Sequence, residues 1–237
     1  MDKLTIVYAS DHRLYQWLPM SINSVLTHNP DCHIYVFCED DKIEQLNDSR
    51  ITILNINNYP DYDVHWTYRT YELSKLTFVR LWMADVLQES KVIWLDVDTI
   101  VTGSLEPLWN TYLGFKVIGG VFDAYQHCLG NGSFYMNAGV MLMDLNKWRA
   151  LHMGERVHDT LRHKYYKYAD QDVLNDVCQQ YIKYLDLKWN YQLCQPMQIK
   201  LKDAVIYHYA AHPKLWENEQ VQQWAKYYTP SINEETK

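Results

Sequence analysis

The sequence predicts an α/β protein with a central mixed, mostly parallel sheet flanked by helices. In the first half of the chain, short apolar runs rich in β-branched residues alternate with segments of helical period, which is typical of parallel sheets. The second half mixes strands and helices less regularly. The length of 237 residues, 48% of them hydrophobic, suits one large globular domain or two closely packed halves.

Each element is predicted from a local pattern, in chain order. Compact apolar runs that end in polar residues indicate buried strands, whereas apolar residues that recur with the helical period indicate helices. The predicted strands span residues 4–9, 34–38, 51–56, 92–95, 117–121, 138–145 and 204–208. The predicted helices span residues 15–27 and 72–87, and a third follows Asp170. No internal repeat or linker divides the chain, so a single domain is expected over residues 1–237.

Composition excludes several classes of protein. The net charge of -7, without a basic stripe, argues against a nucleic-acid partner. Five cysteines without C-x-x-C spacing predict buried or free thiols in a reducing compartment, and hence a cytoplasmic protein. No apolar run approaches the length of about 18 residues that a membrane-spanning helix needs. The 20 Tyr and 9 Trp fit either large core fillers or rings that stack on sugars.

An acid pair, Asp96-Val97-Asp98, directly follows the buried strand 92–95. On an extended chain, residues i and i+2 project from the same side, so both carboxylates are expected to point to one place. Two such charges repel unless a cation lies between them, which predicts a divalent metal site. The alternative is hydrogen bonding at the strand end. The same spacing in Asp61-Tyr62-Asp63 follows a proline in a loop, where a solvated turn is favoured.

Other polar side chains stand where ligands or structural partners are needed. Asp11 and His208 follow strand ends, the edge at which α/β sheets bind ligands, although a hydrogen-bonded structural histidine would also fit. Arg80 falls on the apolar face of the helix 72–87 and needs an anionic partner, either an internal acid or a ligand. Asp170 and Gln171 begin a helix, where an N-cap is the structural interpretation.

Four motifs occur in the order seen in glycosyltransferase family 8, and the chain resembles that family from about Ile6 to Trp216. The motifs are Leu95-Asp96-Val97-Asp98, Met136-Asn137-Ala138-Gly139-Val140, Asp170-Gln171-Asp172 and His208-Tyr209-Ala210-Ala211-His212-Pro213-Lys214-Leu215-Trp216. The family contains bacterial lipooligosaccharide galactosyl- and glucosyltransferases and glycogenin. Four ordered motifs make this resemblance far more specific than any one of them.

The resemblance implies a GT-A fold, which is Rossmann-like in its nucleotide-binding part. It implies transfer of a hexose, glucose or galactose, from a UDP-sugar to a hydroxyl group of a carbohydrate acceptor, with retention of anomeric configuration. The implied cofactor is Mn²⁺, with Mg²⁺ as the alternative, held by Asp96, Asp98 and His208. Residues 1–105 would form the nucleotide-sugar half and residues 106–216 the donor-sugar and acceptor half, followed by a polar tail over 217–237.

The resemblance also implies a donor site built from several motifs. Asp170 and Gln171 are the catalytic candidates. Retention requires either double displacement or same-face attack, and same-face attack is favoured because the amide of Gln171 is a poor nucleophile. Asp123 is expected to face the acceptor or the donor sugar. The residues implied to bind the donor are Ala9, Asp11, Arg80, Asp96, Val97, Asn137, Ala138, Asp170, Gln171 and Lys214.

The chain departs from the family after Asp11, where His12 and Arg13 replace the usual Asn-Tyr, so recognition of the base or ribose is expected to differ. The aromatic segment 59–71 and the stretch 130–133 are hypothetical acceptor-side elements. Two other functions stay open on the sequence alone. One is a non-catalytic sugar-nucleotide or glycan-binding protein, and the other is a metal-dependent nucleotidyltransferase, for which a basic triphosphate-binding loop is lacking.

Overall fold

The computed structural model describes residues 2–59, 67–68, 71–128, 134–193, 203–210 and 214–217. The strands are β1 (Thr5–Ala9), β2 (His33–Cys38), β3 (Ile51–Asn55), β4 (Thr67–Tyr68), β5 (Tyr71–Glu72), β6 (Lys91–Leu95), β7 (Thr99–Val101), β8 (Ile118–Phe122), β9 (Met136–Asp144), β10 (Ile182–Tyr184), β11 (Tyr191–Gln192) and β12 (Ile206–His208). The helices are α1 (Leu18–His28), α2 (Val79–Val86), α3 (Glu106–Trp109), α4 (Ala124–Cys128), α5 (Leu145–Ala150), α6 (Met153–His163) and α7 (Ala169–Val177).

The main sheet has seven strands in the order β10-β8-β9-β6-β1-β2-β3. Its pairs β10–β8, β6–β1, β1–β2 and β2–β3 are parallel, and only β9 runs antiparallel to its neighbours β8 and β6. The predicted mixed, mostly parallel sheet is therefore confirmed. β9 runs antiparallel to both neighbours, so its first residues lie at the edge of the sheet where β6 and β8 end.

Helices cover both faces of this sheet. Alternate strand residues point to opposite sides, and apolar side chains on each side pack against these helices. Val7 and Trp94 pack on the face covered by α2, α5, α6 and α7, where Trp82 and Trp148 are also buried. Ile6, Ile93 and Leu95 pack on the other face, against α1 and α3. The near-continuous apolar character of these strands follows from burial on both faces.

A second sheet of three short strands, β11-β12-β7, lies beside the main one. β12 pairs antiparallel with β7, which places His208 opposite Thr99, immediately after the acid pair. The sequence predicted the strand that ends at His208 but not its place in this small sheet. β7 and β11 have three and two residues and are too short for a periodic pattern to reveal.

Several predicted boundaries were wrong. α1 begins at Leu18, not at residue 15, because Pro19 suits a first helical turn and residues 12–14 form a separate 3₁₀ turn capped by Asp11. The predicted helix 72–87 is divided into β5, a 3₁₀ turn over Lys75–Phe78 and α2. The sequence patterns also missed α3 to α6 and β10.

Two corrections concern site residues. The strand predicted over residues 138–145 begins at Met136, so Asn137 lies within β9 and not before it. Asp170 does not cap its helix. Tyr168 occupies the cap position without a side-chain hydrogen bond, and Asp170 lies in the first turn of α7.

Candidate active site

A cleft of about 610 Å³ opens where β1, β6 and β8 end and β9 begins. Ligand sites are expected at this edge of an α/β sheet. The residues singled out by the sequence analysis all line the cleft: Ala9, Asp11, Arg80, Asp96, Val97, Asp98, Asp123, Asn137, Ala138, Asp170, Gln171, His208 and Lys214. The segment 60–66, which holds Asp61 and Asp63, and residues 129–133 and 211–213 lie outside the described residues.

The acid pair lies in the turn that connects β6 to β7, not on extended chain as expected. The amide of Thr99 donates to the carbonyl oxygen of Asp96 at 3.2 Å, which closes this turn. One ligand atom from each of Asp96, Asp98 and His208 lies within 4.8 Å of the others. The turn therefore achieves the convergence that strand geometry predicted, and β12 supplies the third group from a distant part of the chain.

Each carboxylate has one oxygen bonded to a lysine, arginine or indole donor and one oxygen that faces His208. Oδ1 of Asp96 accepts hydrogen bonds from Arg80 and from the indole of Trp94, both at 2.9 Å. Oδ2 of Asp98 accepts from the ammonium of Lys214 at 2.6 Å. The other two oxygens face Nε2 of His208, at 3.9 Å for Asp96 Oδ2 and 3.3 Å for Asp98 Oδ1.

This donor set fits a divalent cation. Two carboxylate oxygens and an imidazole nitrogen suit Mn²⁺, whereas Mg²⁺ prefers oxygen ligands alone. Burial raises the pKa of the Asp98 carboxyl, but His208 and Lys214 outweigh it and hold that pKa well below its usual range. Asp98 is therefore an anion at neutral pH, as a metal ligand must be.

Gly139 leaves the space that these groups occupy. β9 pairs with β6 so that the carbonyl of Gly139 accepts from the amide of Asp96 at 2.8 Å. A Cβ at this position would lie 2.1 Å from Cε1 of His208 and 2.9 Å from Oδ2 of Asp96. The glycine of the Met136–Val140 motif is thus required by the close approach of His208, a role that the sequence analysis did not assign.

Arg80 is buried and held by protein groups from three elements. Its guanidinium donates to the carbonyl of Ala138 at 2.7 Å and to Oδ1 of Asp96 at 2.9 Å, and it stacks 4.5 Å from the ring centre of Trp94. Its Nε lies 3.0 Å from Oδ2 of Asp170, without the alignment of a hydrogen bond. The internal acids considered as partners are therefore present, and contact with a donor stays a prediction.

Asp170 and Gln171 project from the first turn of α7 into the cleft. Burial raises the pKa of Asp170 to about 6, although the positive charge of Arg80 acts in the opposite direction. Both ends of the Gln171 amide are bonded, since Oε1 accepts from the amide of Ala138 at 3.0 Å and Nε2 donates to Oδ2 of Asp123 at 3.1 Å. Gln171 is thus fixed in orientation at the cleft wall.

At the entrance of the cleft, Asp11 is engaged by its own turn. Arg13 donates to both carboxylate oxygens of Asp11, with the shortest contact 2.6 Å, and its backbone amide adds a bond of 3.0 Å. Donor binding by Asp11 stays a prediction, and any ligand of Asp11 would meet this ion pair. The departure from the family at residues 12 and 13 therefore has a structural consequence in the cleft.

The sequence analysis missed Asn190, a buried amide that bonds to His208. Its Oδ1 lies 2.9 Å from Nδ1 of His208, and its Nδ2 donates to Oδ1 of Asn137 at 2.9 Å. Only its position between Trp189 and Tyr191, as a polar residue in an aromatic stretch, distinguishes Asn190 in the sequence. That signal was too weak to identify it.

Comparison with solved structures defines the class of the protein. The galactosyltransferase LgtC in complex with donor and acceptor sugar analogs is 25% identical, with a TM-score of 0.68 over 95% of this chain and 94% of that chain. The glycosyltransferase GlyE of Streptococcus pneumoniae has a TM-score of 0.74 at 22% identity, over 97% of this chain and 61% of that chain. The fold is that of a GT-A glycosyltransferase.

The chain belongs to glycosyl transferase family 8, whose family model matches residues 5–220. Among its relatives, a putative glycosyltransferase of Haemophilus influenzae is 28% identical over 90% of this chain and 73% of the relative. The lipopolysaccharide glucosyltransferase WaaO of Escherichia coli is 27% identical over 90% of this chain and 72% of the relative. GlyE is 26% identical, and the chain covers only 48% of its length.

None of the helices among the described residues is both long and apolar enough to cross a lipid bilayer.

Proposed function

We propose that the chain is a retaining, Mn²⁺-dependent hexosyltransferase that moves glucose or galactose from a UDP-sugar to a hydroxyl group of a glycan. The observation that carries this proposal is the convergence of Asp96, Asp98 and His208 within 4.8 Å in one cleft. That cleft also contains the donor residues implied by the family resemblance. LgtC, the 25% identical structural relative, is described in complex with donor and acceptor sugar analogs.

The proposed chemistry follows from charge. Breaking the anomeric C–O bond leaves negative charge on the departing diphosphate and positive charge on the sugar ring. Asp96, Asp98 and His208 hold the cation, which when bound neutralises the diphosphate. Lys214 bonds to Asp98 beside the candidate cation site, and we propose that its ammonium turns toward the same phosphates.

Other residues of the cleft wall are proposed to support the sugar. Asp170 is buried beside Arg80 and offers its carboxylate to sugar hydroxyl groups, and Asn137 and Ala138 line the adjoining wall. Gln171 bonds to Asp123 and Ala138 through its whole amide, so it acts as an oriented polar surface and not as a nucleophile. This arrangement favours attack by the acceptor on the face from which UDP departs.

UDP release tests the proposal. The protein is incubated with UDP-glucose, UDP-galactose or UDP-N-acetylglucosamine, with Mn²⁺ or with a chelator, and with a panel of glycan acceptors. We expect Mn²⁺-dependent UDP release with a hexose donor and a product that retains the anomeric configuration by NMR. Asp98→Ala should lower kcat by at least about 10²-fold, because the ion loses a ligand at the site of developing charge.

Three outcomes would contradict the proposal. Binding of UDP-sugar and Mn²⁺ without any turnover, even hydrolysis, would identify a non-catalytic binding protein. Release of pyrophosphate from a nucleoside triphosphate would identify a nucleotidyltransferase. Full activity of Asp98→Ala would remove the metal site from the mechanism.

A further inference from the structure

Asn190 lies at the centre of a buried chain of hydrogen bonds behind the metal-ligand cluster. It has 0% of its surface exposed, and both ends of its amide are used. The cluster of candidate cation ligands consists of Asp96, Asp98 and His208, and Asn190 lies behind it. Its function must therefore follow from what it bonds to.

The orientation of each amide in this chain is fixed by a group that can act in only one way. The backbone N–H of Gly139 can only donate, and it donates to Oδ1 of Asn137 at 3.0 Å. The carboxylate of Asp123 accepts from Nδ2 of Asn137 at 3.0 Å. Oδ1 of Asn137 is thus the acceptor that faces Asn190, so the NH₂ group of Asn190 must point to it.

This orientation leaves only the carbonyl oxygen of Asn190 to face His208. An oxygen acceptor 2.9 Å from Nδ1 requires a proton on that nitrogen. In the neutral imidazole the lone pair then lies on Nε2, which faces the available oxygens of Asp96 and Asp98. The other tautomer would place two acceptors against each other at Nδ1. It would also put a proton on Nε2, which Oδ1 of Asp98 can accept at 3.3 Å in metal-free protein and which cation binding must displace.

We propose that Asn190 is a positioning residue that holds His208 in its Nδ1-protonated tautomer and so directs the Nε2 lone pair to the cation. The inference rests on the proposed function for the identity of the cation, but not for the tautomer. Hydrogen-bond partners of metal-ligating histidines fix the ring and its tautomer in the same manner elsewhere, and their loss costs about 10- to 100-fold in metal affinity.

The first measurement reads the tautomer directly in metal-free protein. Nitrogen-15 NMR of the histidine ring should show a proton on Nδ1 of His208, whether or not Nε2 also carries one. In Asn190→Leu, which keeps the branched shape but removes the acceptor, the form protonated at Nε2 alone should increase. In Asn190→Asp, one carboxyl oxygen still accepts from Nδ1 and the other needs a proton to bond to Oδ1 of Asn137, so the proton on Nδ1 should persist.

The second measurement is Mn²⁺ affinity, followed by electron paramagnetic resonance of the free ion. Asn190→Leu should weaken binding about 10- to 100-fold, whereas Asn190→Asp should recover most of the lost affinity. Asn29 supplies a matched control, since it is a buried amide with two similar bonds, to Leu105 and Val25, away from the cleft. Asn29→Leu should lower thermal stability but leave both the Mn²⁺ affinity and the His208 tautomer unchanged.

The outcomes separate this inference from the proposed function. A folded Asn190→Leu protein with the wild-type tautomer and affinity would overturn the inference, as would loss of the Nδ1 proton in Asn190→Asp. If wild-type protein fails to bind Mn²⁺, the proposed function fails, but the tautomer measurement still decides the role of Asn190.

Discussion

At the scale of single residues, the site depends on a glycine, because there is no room for a side chain at position 139. Gly139 is needed because His208 and Asp96 occupy the volume that a Cβ would take, with Cε1 of His208 only 2.1 Å away. The backbone of Gly139 is an ordinary part of β9, so the requirement is steric and not conformational.

We expect Gly139→Ala to disrupt the cation site more than the fold. Either His208 or Asp96 must move, and we predict at least a tenfold loss of Mn²⁺ affinity in titration calorimetry. Gly103→Ala is the matched control, because a Cβ there meets Val205 at an ordinary 3.5 Å. Equal Mn²⁺ affinity for Gly139→Ala and wild type would show that the ligands do not occupy these positions.

From the raised pKa of Asp170, we expect a specific pH dependence of stability. Its pKa is raised by burial from 3.8 to about 6 in the folded protein, so the folded state binds the proton more tightly than the unfolded state. This contribution to stability is complete below about pH 4 and is lost as pH rises to about 6, with a total of about 3 kcal/mol.

Urea unfolding of metal-free protein at intervals from pH 4 to 7 measures this contribution. Asp170→Asn should flatten the decrease in unfolding free energy across that window. Asp48→Asn should not, because the Arg50 ion pair lowers the pKa of Asp48 to about 2 and its titration lies at lower pH. An unchanged slope in Asp170→Asn would mean that another group titrates there.

At the scale of elements, α7 begins under backbone strain. Ala169 has a φ of 43°, in the left-handed region, at the first residue of the helix that carries Asp170 and Gln171. His152 has a φ of 53° just before α6, remote from the cleft. A left-handed conformation costs a residue with a Cβ about 1–2 kcal/mol relative to glycine.

Replacing either residue with glycine should therefore stabilise the protein. Greater chain entropy in the unfolded state offsets part of the gain, which leaves about 0.5–1 kcal/mol, or roughly 1–4 °C in Tm for a protein of this size. Scanning calorimetry of Ala169→Gly and His152→Gly checks this expectation. A lower Tm for Ala169→Gly alone would indicate that the methyl group of Ala169 packs usefully against the cleft wall.

At the scale of the whole molecule, a bound cation would connect parts of the chain that are far apart in sequence. Asp96 and Asp98 follow a strand of the main sheet, whereas His208 ends a strand of the small sheet. A ligand that binds only when these parts are assembled must favour the folded state.

We predict that Mn²⁺ at a hundred times its dissociation constant raises the unfolding free energy by about 2.7 kcal/mol, which corresponds to roughly 5–11 °C in Tm. A chelator should reverse the shift, and Asp98→Ala should abolish it. A shift of similar size in Asp98→Ala would place the binding site elsewhere on the protein.

The sequence by itself determined the α/β class, the strands of the sheet centre and several residues that line the cleft. Its evidence was local, since β1 and β6 are continuous apolar runs, and the acid pair follows β6 directly. Motif order then extended the prediction to His208 and Lys214, which local patterns alone do not connect to Asp98.

Only the tertiary structure decided how these residues meet. It placed His208 against the acid pair through a short antiparallel strand, gave Arg80 two carboxylate partners, and revealed the roles of Gly139 and Asn190. The physical reason is that such contacts join residues far apart in the chain. The burial and hydrogen bonding of such residues produce no periodic pattern in the neighbouring sequence.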